Sequence, residues 1–374
     1  MPSSLGHDGG RPIRVAVWGT GDVGHYVLRG ILQRPDLELV GVRVWHEDKA
    51  GRDVGELIGW DRIGVTTTTS TAEVLALRPD CLIHSAPSRV VEPVADFLAA
   101  GIDVVSLCSA SLVHPPSAPA EVHDPLAAAC AAGGSTLFYG GIDPGFAAHT
   151  LPITLSAICE RIDLLVSYEV RDYDPLPLHQ LDWFNFGRET TDGARFFTPG
   201  GIEGVWGAPL RLIAQALGIT LDRIEEFHEV AMAEHDFEVP AMAVAAGTIA
   251  AVRFGLCGIV DGEERLRIEH VNRLHRDLAP EWEPRQGYGV HVEGAPRYHL
   301  HLDMEDPAGV QTRPALWGTA MYMVNAVPAV VAAPPGIATV LDLPIIRGAT
   351  VGGADRGGSW TLSERILRGE TRRA

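Results

Sequence analysis

The chain is short of the features that would take it out of the ordinary globular class. Cysteine is scarce and scattered: five residues, at positions 81, 108, 130, 159 and 257, with no Cys-x-x-Cys pair. That spacing offers no zinc site and no disulfide framework, and an odd set fits reduced thiols in the cytosol. Positive charge is also scarce. Thirty Lys and Arg face 48 Asp and Glu, for a net charge of −18, which disfavours nucleic acid and anionic membranes as partners. Long apolar runs are missing. The richest stretch, residues 321–333, is interrupted by Asn325 and Pro328, so the sequence predicts no membrane-spanning helix, which needs roughly 18 or more apolar residues. Residues 1–11 are polar and glycine-rich, without the apolar core of an export signal. No internal repeat is visible. What remains is 374 residues, 46% hydrophobic and 21% charged, a length that suits two domains.

One stretch organises the rest. The apolar run 13–18 leads into Gly19-Thr20-Gly21-Asp22-Val23-Gly24, and a helical spacing of Val23, Val27, Leu28, Ile31 and Leu32 follows at once. In that order each glycine has a use. Gly19 permits the tight strand-to-helix turn, Gly21 lets a pyrophosphate approach the backbone, and Gly24 lets helix and strand pack closely. N–H groups at the helix start then face the phosphates. By itself such a run is only a glycine turn. Its place between two apolar strands, 13–18 and 37–45, is what predicts a dinucleotide site.

From residue 14 to about 146 strands and helices alternate. Strands are expected at 65–69, 81–85, 103–106 and 136–139, and helices at 54–58, after a cap at Thr71, at 90–100 and at 121–132. Alternation of this kind predicts an α/β domain built on a doubly wound parallel sheet. The pattern changes after residue 146. A helix over 146–159 contains Pro152, and 161–173 alternates apolar and polar residues like a strand of an exposed sheet. Further strands are expected near 223–231, 246–256, 265–272 and 288–303, and a helix near 210–217. These describe an α+β second domain over 151–315, after a first domain over 1–150. A buried helix over 315–331 is expected to return the segment 316–374 to the first domain.

Ligands of such sheets bind beyond the carboxyl ends of the strands. An NAD site would place Asp or Glu at the tip of the second strand, on the ribose. Val44, Trp45 and His46 stand there, followed by Lys49 and Arg52. This favours NADP(H), with NAD(H) through Glu47 or Asp48 as the alternative; equally, Lys49 and Arg52 read as plain surface charges. Ser85-Ala86-Pro87 and the loop holding Cys108, Ser109 and Ser111 are placed to line cofactor and substrate. Nothing in the sequence sets a base beside Cys108 to make it a nucleophile. In the second domain Tyr168, Asp172, Tyr173, His179, Asp182 and Trp183 fall within a short span. Tyr173, His179 and Asp182 are the candidate proton donors, and Tyr168 and Trp183 the candidate pocket wall. Ordinary packing aromatics in a polar loop are the competing reading. His291, His299 and His301 lack a matching acid, so no metal site is expected.

Three motifs together carry a resemblance: Val17-Trp-Gly-Thr-Gly-Asp-Val-Gly24; Gly141-Ile-Asp-Pro-Gly-Phe146 with Leu151-Pro152; and Val324-Asn-Ala-Val-Pro328 with Ala333-Pro-Pro-Gly336 and Asp342-Leu-Pro344. The chain resembles, over nearly its whole length, the dihydrodipicolinate reductase-like family that includes 2,4-diaminopentanoate dehydrogenase and the native amine dehydrogenases. The resemblance implies an N-terminal Rossmann domain, an α+β domain that forms a homodimer, and a nicotinamide cofactor, with Asn325 joining the cofactor set. It also implies interconversion of amines with carbonyls or imines. Two departures stand out. The His-His-x-x-x-Lys run of true dihydrodipicolinate reductases is missing. Where amine dehydrogenases carry a Glu after the strand 103–106, this chain has Cys108-Ser-Ala-Ser111, which leaves Asp172 or Asp182 to stand in for it.

The sequence therefore predicts a cytoplasmic NAD(P)H-dependent oxidoreductase that moves hydride to or from a C=N or C=O carbon of a small, largely apolar substrate. The alternatives are a carbonyl reductase or alcohol dehydrogenase without amine chemistry, and a non-catalytic NADP(H)-binding sensor.

Overall fold

The computed structural model describes residues 11–85, 91–279, 281–283, 285–306 and 313–349. Ala86, Pro87 and the part of the expected C-terminal segment past residue 349 lie outside them. The chain divides into two compact units. One takes the chain up to Leu112, then Pro119–Gly141, then the chain from Leu316; the other takes Val113–Ala118 and Ile142–Ala315.

The first unit is built on strands β1 (Ile13–Trp18), β2 (Leu37–Arg43), β3 (Thr67–Thr68), β4 (Cys81–His84), β5 (Asp103–Ser106) and β6 (Thr136–Tyr139), with a seventh strand from Gly336–Ala338. Every pairing is parallel. The order is β3-β2-β1-β4-β5-β6 followed by Gly336–Ala338, the doubly wound Rossmann order, in which the strand order reverses between β1 and β4. Helices α1 (Asp22–Leu32), α2 (Val54–Ile58), α3 (Thr71–Ala76), α4 (Val91–Ala99) and α5 (Ala120–Gly133) supply the crossovers. The third strand is shorter than its threonine run suggested. The cap of α3 is Ser70, whose side chain accepts from the Glu73 N–H, not Thr71, because the hydroxyl must stand one residue ahead of the first helical turn.

In the second unit Pro152 sits in the first turn of α6 (Leu151–Ser156), where a missing N–H costs nothing. The strand β7 (Arg161–Asp172) is followed by α7 (Leu178–Leu181) and α8 (Glu203–Leu217). Then come β8 (Arg223–Met232), β9 (Phe237–Val239), β10 (Met242–Val244), β11 (Ile249–Val260), β12 (Glu263–Arg273), β13 (Gly287–Ala295) and β14 (Tyr298–Leu302). The single strand expected over 288–303 is thus a hairpin. The six-stranded sheet runs β14-β13-β7-β12-β11-β8, antiparallel except where β7 meets β12. Period-two alternation sends Leu165, Val252, Phe254, Ile268 and Val290 into one core with Leu210 and Ile213 of α8.

Helix α9 (Arg313–Val331) is long and apolar enough to cross a membrane by length and composition, but half of it is buried. From Leu316 on it lies along α1: Trp317 stacks on Tyr26, and Asn325 accepts from Arg34 just past the end of α1. That packing explains an apolar helix without a bilayer.

Candidate active site

The glycine turn has the form its spacing predicts. Gly19 holds φ at 112°, in the region that favours glycine. A Cβ on Gly24 would lie 2.1 Å from the Gly19 carbonyl oxygen, whereas one on Gly21 would meet nothing within 4 Å. The open position is therefore at Gly21, the N-cap of α1, and no side chain caps that helix. An uncapped helix start with an open glycine fits the pyrophosphate of a nicotinamide dinucleotide. Ser85 braces the turn by donating to the carbonyls of Trp18 and Gly19, at 3.3 Å each. Lys49 reaches it, donating to the Thr20 hydroxyl at 3.4 Å, and Asp22, whose pKa burial raises, feels the same ammonium. Val23 is half-buried, and His46 and Arg52 are exposed.

The tip of β2 carries a residue that sequence reading passed over. The Arg43 guanidinium lies over the Trp18 ring at 4.1 Å and over Trp45 at 4.8 Å. The signal was present in the alternation of β2, since Arg43 and Trp45 are two apart and Arg43 is the register partner of Trp18.

After β5, the Ser106 hydroxyl accepts from the Cys108 N–H and hydrogen-bonds His84, both at 2.9 Å. Burial pushes the Cys108 thiol up, away from a thiolate. Ser109 and Ser111 bond each other at 2.9 Å. Asn325 is committed to Arg34 at 2.9 Å, at the end of α1 opposite the glycine turn.

In the second unit the chemistry gathers at three residues from three elements. Asp143, in the turn after β6, accepts on one oxygen from His270 Nε2 at 2.9 Å and from Trp206 Nε1 at 3.0 Å. Glu169 of β7 lies 4.0 Å from the same imidazole nitrogen. The parallel register that pairs His270 with Glu169 puts both on one face of the sheet. His270 is 2% exposed and stacks on Phe254 with Trp206 beside it. Burial opposes its positive charge, but the neighbouring carboxylates outweigh burial and its pKa is raised, Asp143 foremost. Burial raises the Glu169 pKa too, and Asp143 adds to it. Both groups thus hold a proton more readily than usual, which is what a general acid near neutral pH requires.

The expected catalytic residues divide. Tyr173 extends the Glu169 side of β7. Burial raises its pKa, Arg171 opposes, and Glu169 and Asp143 add to the rise; it is the candidate that lies in the field of this group. His179 and Asp182 are exposed, with Asp182 paired to Arg188 at 3.7 Å. Asp172 is paired with Arg276 at 3.2 Å. Trp183 packs edge-on against Phe196. Tyr168 points to the other face of β7, since successive strand residues alternate. There its hydroxyl meets His299 at 2.7 Å and His301 at 3.1 Å. His301 Nε2 faces the Gln286 carbonyl, so Nδ1 is its acceptor and the Tyr168 O–H donates to it. Glycine at 289 makes room, because a Cβ there would lie 2.1 Å from the Tyr168 ring.

Asp143 was visible only inside the Gly141–Phe146 motif, and Glu169 and His270 not at all. The atoms of these three also lie close enough together to hold a metal ion; the hydrogen bonds of Asp143 to His270 and Trp206 favour a proton there.

The parallel sheet, its glycine cradle and a second unit bearing a buried carboxylate–histidine group define a nicotinamide-dependent oxidoreductase of two domains. Family models agree. The N-terminal domain of dihydrodipicolinate reductase matches residues 13–107, and the 2,4-diaminopentanoate dehydrogenase C-terminal domain matches residues 146–356. An amine dehydrogenase of Streptomyces virginiae is 34% identical over 349 residues, 89% of this chain and 96% of that protein. The 2,4-diaminopentanoate dehydrogenase of Acetoanaerobium sticklandii is 23% identical over 356 residues, 90% and 94% of the two chains. The solved structure of an amine dehydrogenase from Mycobacterium smegmatis has the same fold, with a TM-score of 0.72 at 22% identity, covering 90% of this chain and 97% of that one. The chain belongs to the family of 2,4-diaminopentanoate dehydrogenase and amine dehydrogenase, NAD(P)-dependent oxidoreductases acting at carbon–nitrogen bonds.

Proposed function

We propose that this protein is an NADPH-preferring amine dehydrogenase or imine reductase for small, largely apolar substrates. The observation that carries the reading is the 34% identity to an amine dehydrogenase over 96% of that protein's length. The nicotinamide supplies hydride chemistry when bound. The glycine turn and the uncapped start of α1 hold its pyrophosphate, and Lys49 beside Thr20, with no acid at Trp45, favours a 2′-phosphate over a bare ribose. In the second unit His270, held by Asp143 and Glu169, keeps the proton that the substrate nitrogen takes or gives. Tyr173 lies in the field of this group.

The same reading makes the protein a homodimer in the cytoplasm. All five cysteines are free thiols, as a reducing compartment requires. Leu164 and Val166 are half-buried on the face of β7 opposite the core of the unit, and an antiparallel partner sheet would cover them.

The test is NADPH oxidation with a panel of aldehydes and ketones, with and without ammonium. Consumption that requires ammonium is the expected result. Equal rates without it would make the protein a carbonyl reductase, and no consumption of any carbonyl would leave a nucleotide-binding protein without turnover.

A further inference from the structure

The outer face of the six-stranded sheet, away from α8, gathers histidine at one edge. β14 is the edge strand. His299 and His301 are two apart on it, so both side chains leave the same face. His291 of β13 is the direct register partner of His299, which sets their Cβ atoms about 5 Å apart, and the two rings meet edge to face at 5.8 Å. His299 is exposed, and His291 and His301 are half-buried. Two imidazole nitrogens converge on one point: His299 Nε2 lies 2.7 Å and His301 Nδ1 3.1 Å from the Tyr168 hydroxyl.

The ring nitrogens that turn away are engaged as well. His301 donates from Nε2 to the Gln286 carbonyl at 3.1 Å. His291 Nε2 donates to Glu293 at 2.7 Å, and Arg297 holds the same carboxylate at 2.6 Å. An imidazole that gives its far N–H to a carbonyl or carboxylate has its ring fixed and its other nitrogen bare, as metal-bound histidines do. In His301 and His291 the bare nitrogen is Nδ1. Arg285 lies in the field of His299, but it is paired with Glu283 at 2.9 Å. The acid missing from the sequence pattern is thus Glu293, which acts behind a histidine and not as a ligand.

We propose that His291, His299 and His301 form a binding site for a divalent transition metal of the kind imidazole prefers, Zn2+ above all, which fastens β14 to β13 at the edge of the sheet. The ligand atoms are Nε2 of His299 and Nδ1 of His301 and His291, with water in the fourth position. Side-chain rotation brings them to one ion while the strands stay in place. His299 shifts its proton from Nε2, where Tyr168 accepts it, to Nδ1, so that a neutral ring binds. Mg2+ and Ca2+ do not suit the site, because they take oxygen ligands. The proposal is independent of the cofactor and of the buried group at His270.

The experiment is calorimetric titration of the untagged whole protein, freed of metal by a chelator, with Zn2+ and with Mg2+. Wild type is expected to bind one Zn2+ per chain at this site and no Mg2+. Its melting temperature should rise with Zn2+, as for any ligand of the folded state alone. His291→Ala, His299→Ala and His301→Ala should each weaken Zn2+ binding by at least about tenfold, and Glu293→Gln, behind the ligand, by about tenfold. Metal-free melting temperatures close to that of wild type show the variants folded. For any variant that fails to fold, the readout is NMR of wild type, where Zn2+ must shift the imidazole signals of these three histidines. Unchanged binding in any one histidine variant, or an unshifted signal from any of the three, overturns the three-histidine site. Zn2+ binding that survives all three substitutions but is lost in Asp143→Asn overturns it in favour of the buried carboxylates. No Zn2+ binding to wild type overturns it outright.

Discussion

Replacing Asp143 with Asn isolates one charge in the buried group. Asparagine keeps the size and one carbonyl acceptor, so the bond from Trp206 Nε1, 3.0 Å in the native protein, can persist. The negative charge 2.9 Å from His270 Nε2 is lost. A hydrogen bond to a charged partner contributes about 1.5–3 kcal/mol, so the His270 pKa, which Asp143 holds up against burial, should fall. Glu169, which Asp143 also pushes upward, should fall with it. Both groups then hold their protons less readily, and turnover with saturating NADPH should drop by about a hundredfold or more, the usual cost of a lost general acid. The limb of the rate profile that requires the protonated acid should move to lower pH. Stability gives an independent readout. A histidine whose folded pKa is raised contributes stability that is fully present below its unfolded value of about 6.5 and is lost as pH rises through the folded value. The advantage of wild type over the variant in urea should therefore be largest below about pH 6.5 and shrink above it. The reasoning is refuted if His270 titrates unchanged by NMR, and kcat and its pH profile stay within a few-fold of wild type.

Gly21→Val should abolish NADP(H) binding, because its side chain would fill the open position at the helix start; unchanged affinity by calorimetry in a folded variant rules the cradle out. Tyr173→Phe should slow turnover, whereas His179→Ala and Asp182→Asn, both at exposed residues, should stay within a few-fold; a large loss in either of the last two would move the proton source to that surface. Burial lowers the pKa of His84 to about 4 and of His149 to about 3. Each must charge on unfolding in acid, so stability should fall by about 1.4 kcal/mol per histidine per pH unit below about 6.5; a flat melting temperature between pH 7 and 5 would contradict this. Light scattering at micromolar concentration should report a dimer, and Val166→Asp on the outer face of β7 should give a monomer; a wild-type monomer would refute the interface.

The cofactor half of this protein was legible in the sequence because its determinants are local. Gly19, Gly21 and Gly24 act through the backbone of one turn. The strands around them announce themselves by apolar runs, and a parallel sheet follows from their alternation with helices. Lys49 is close enough in the chain to the turn for its contact with Thr20 to be expected. The packing of Arg43, at the end of β2, on Trp18 of β1 was missed, because it depends on a register pairing that the string of residues does not display.

The second unit shows the limit more sharply. Its strand β7 was visible from its alternation, but the apolar set Leu164, Val166, Tyr168 and Val170 drew attention to the wrong side of the strand for chemistry. The other side, Glu169 and Arg171, acquires its neighbours from β12, about a hundred residues later in the chain. His270 is an isolated histidine in sequence. Its pKa is raised only because the parallel register sets it beside Glu169 and the turn after β6 brings Asp143 to its ring. His179 and Asp182 looked suited by residue type alone, and type says nothing about burial. The sequence by itself determined the parallel sheet, the glycine cradle and the family, because these follow from short-range pattern and composition. The tertiary structure decided which carboxylates meet which histidine, and how far water is kept from them. Proton affinity is set by neighbours within a few ångströms and by local dielectric, and neither is a property of neighbours along the chain.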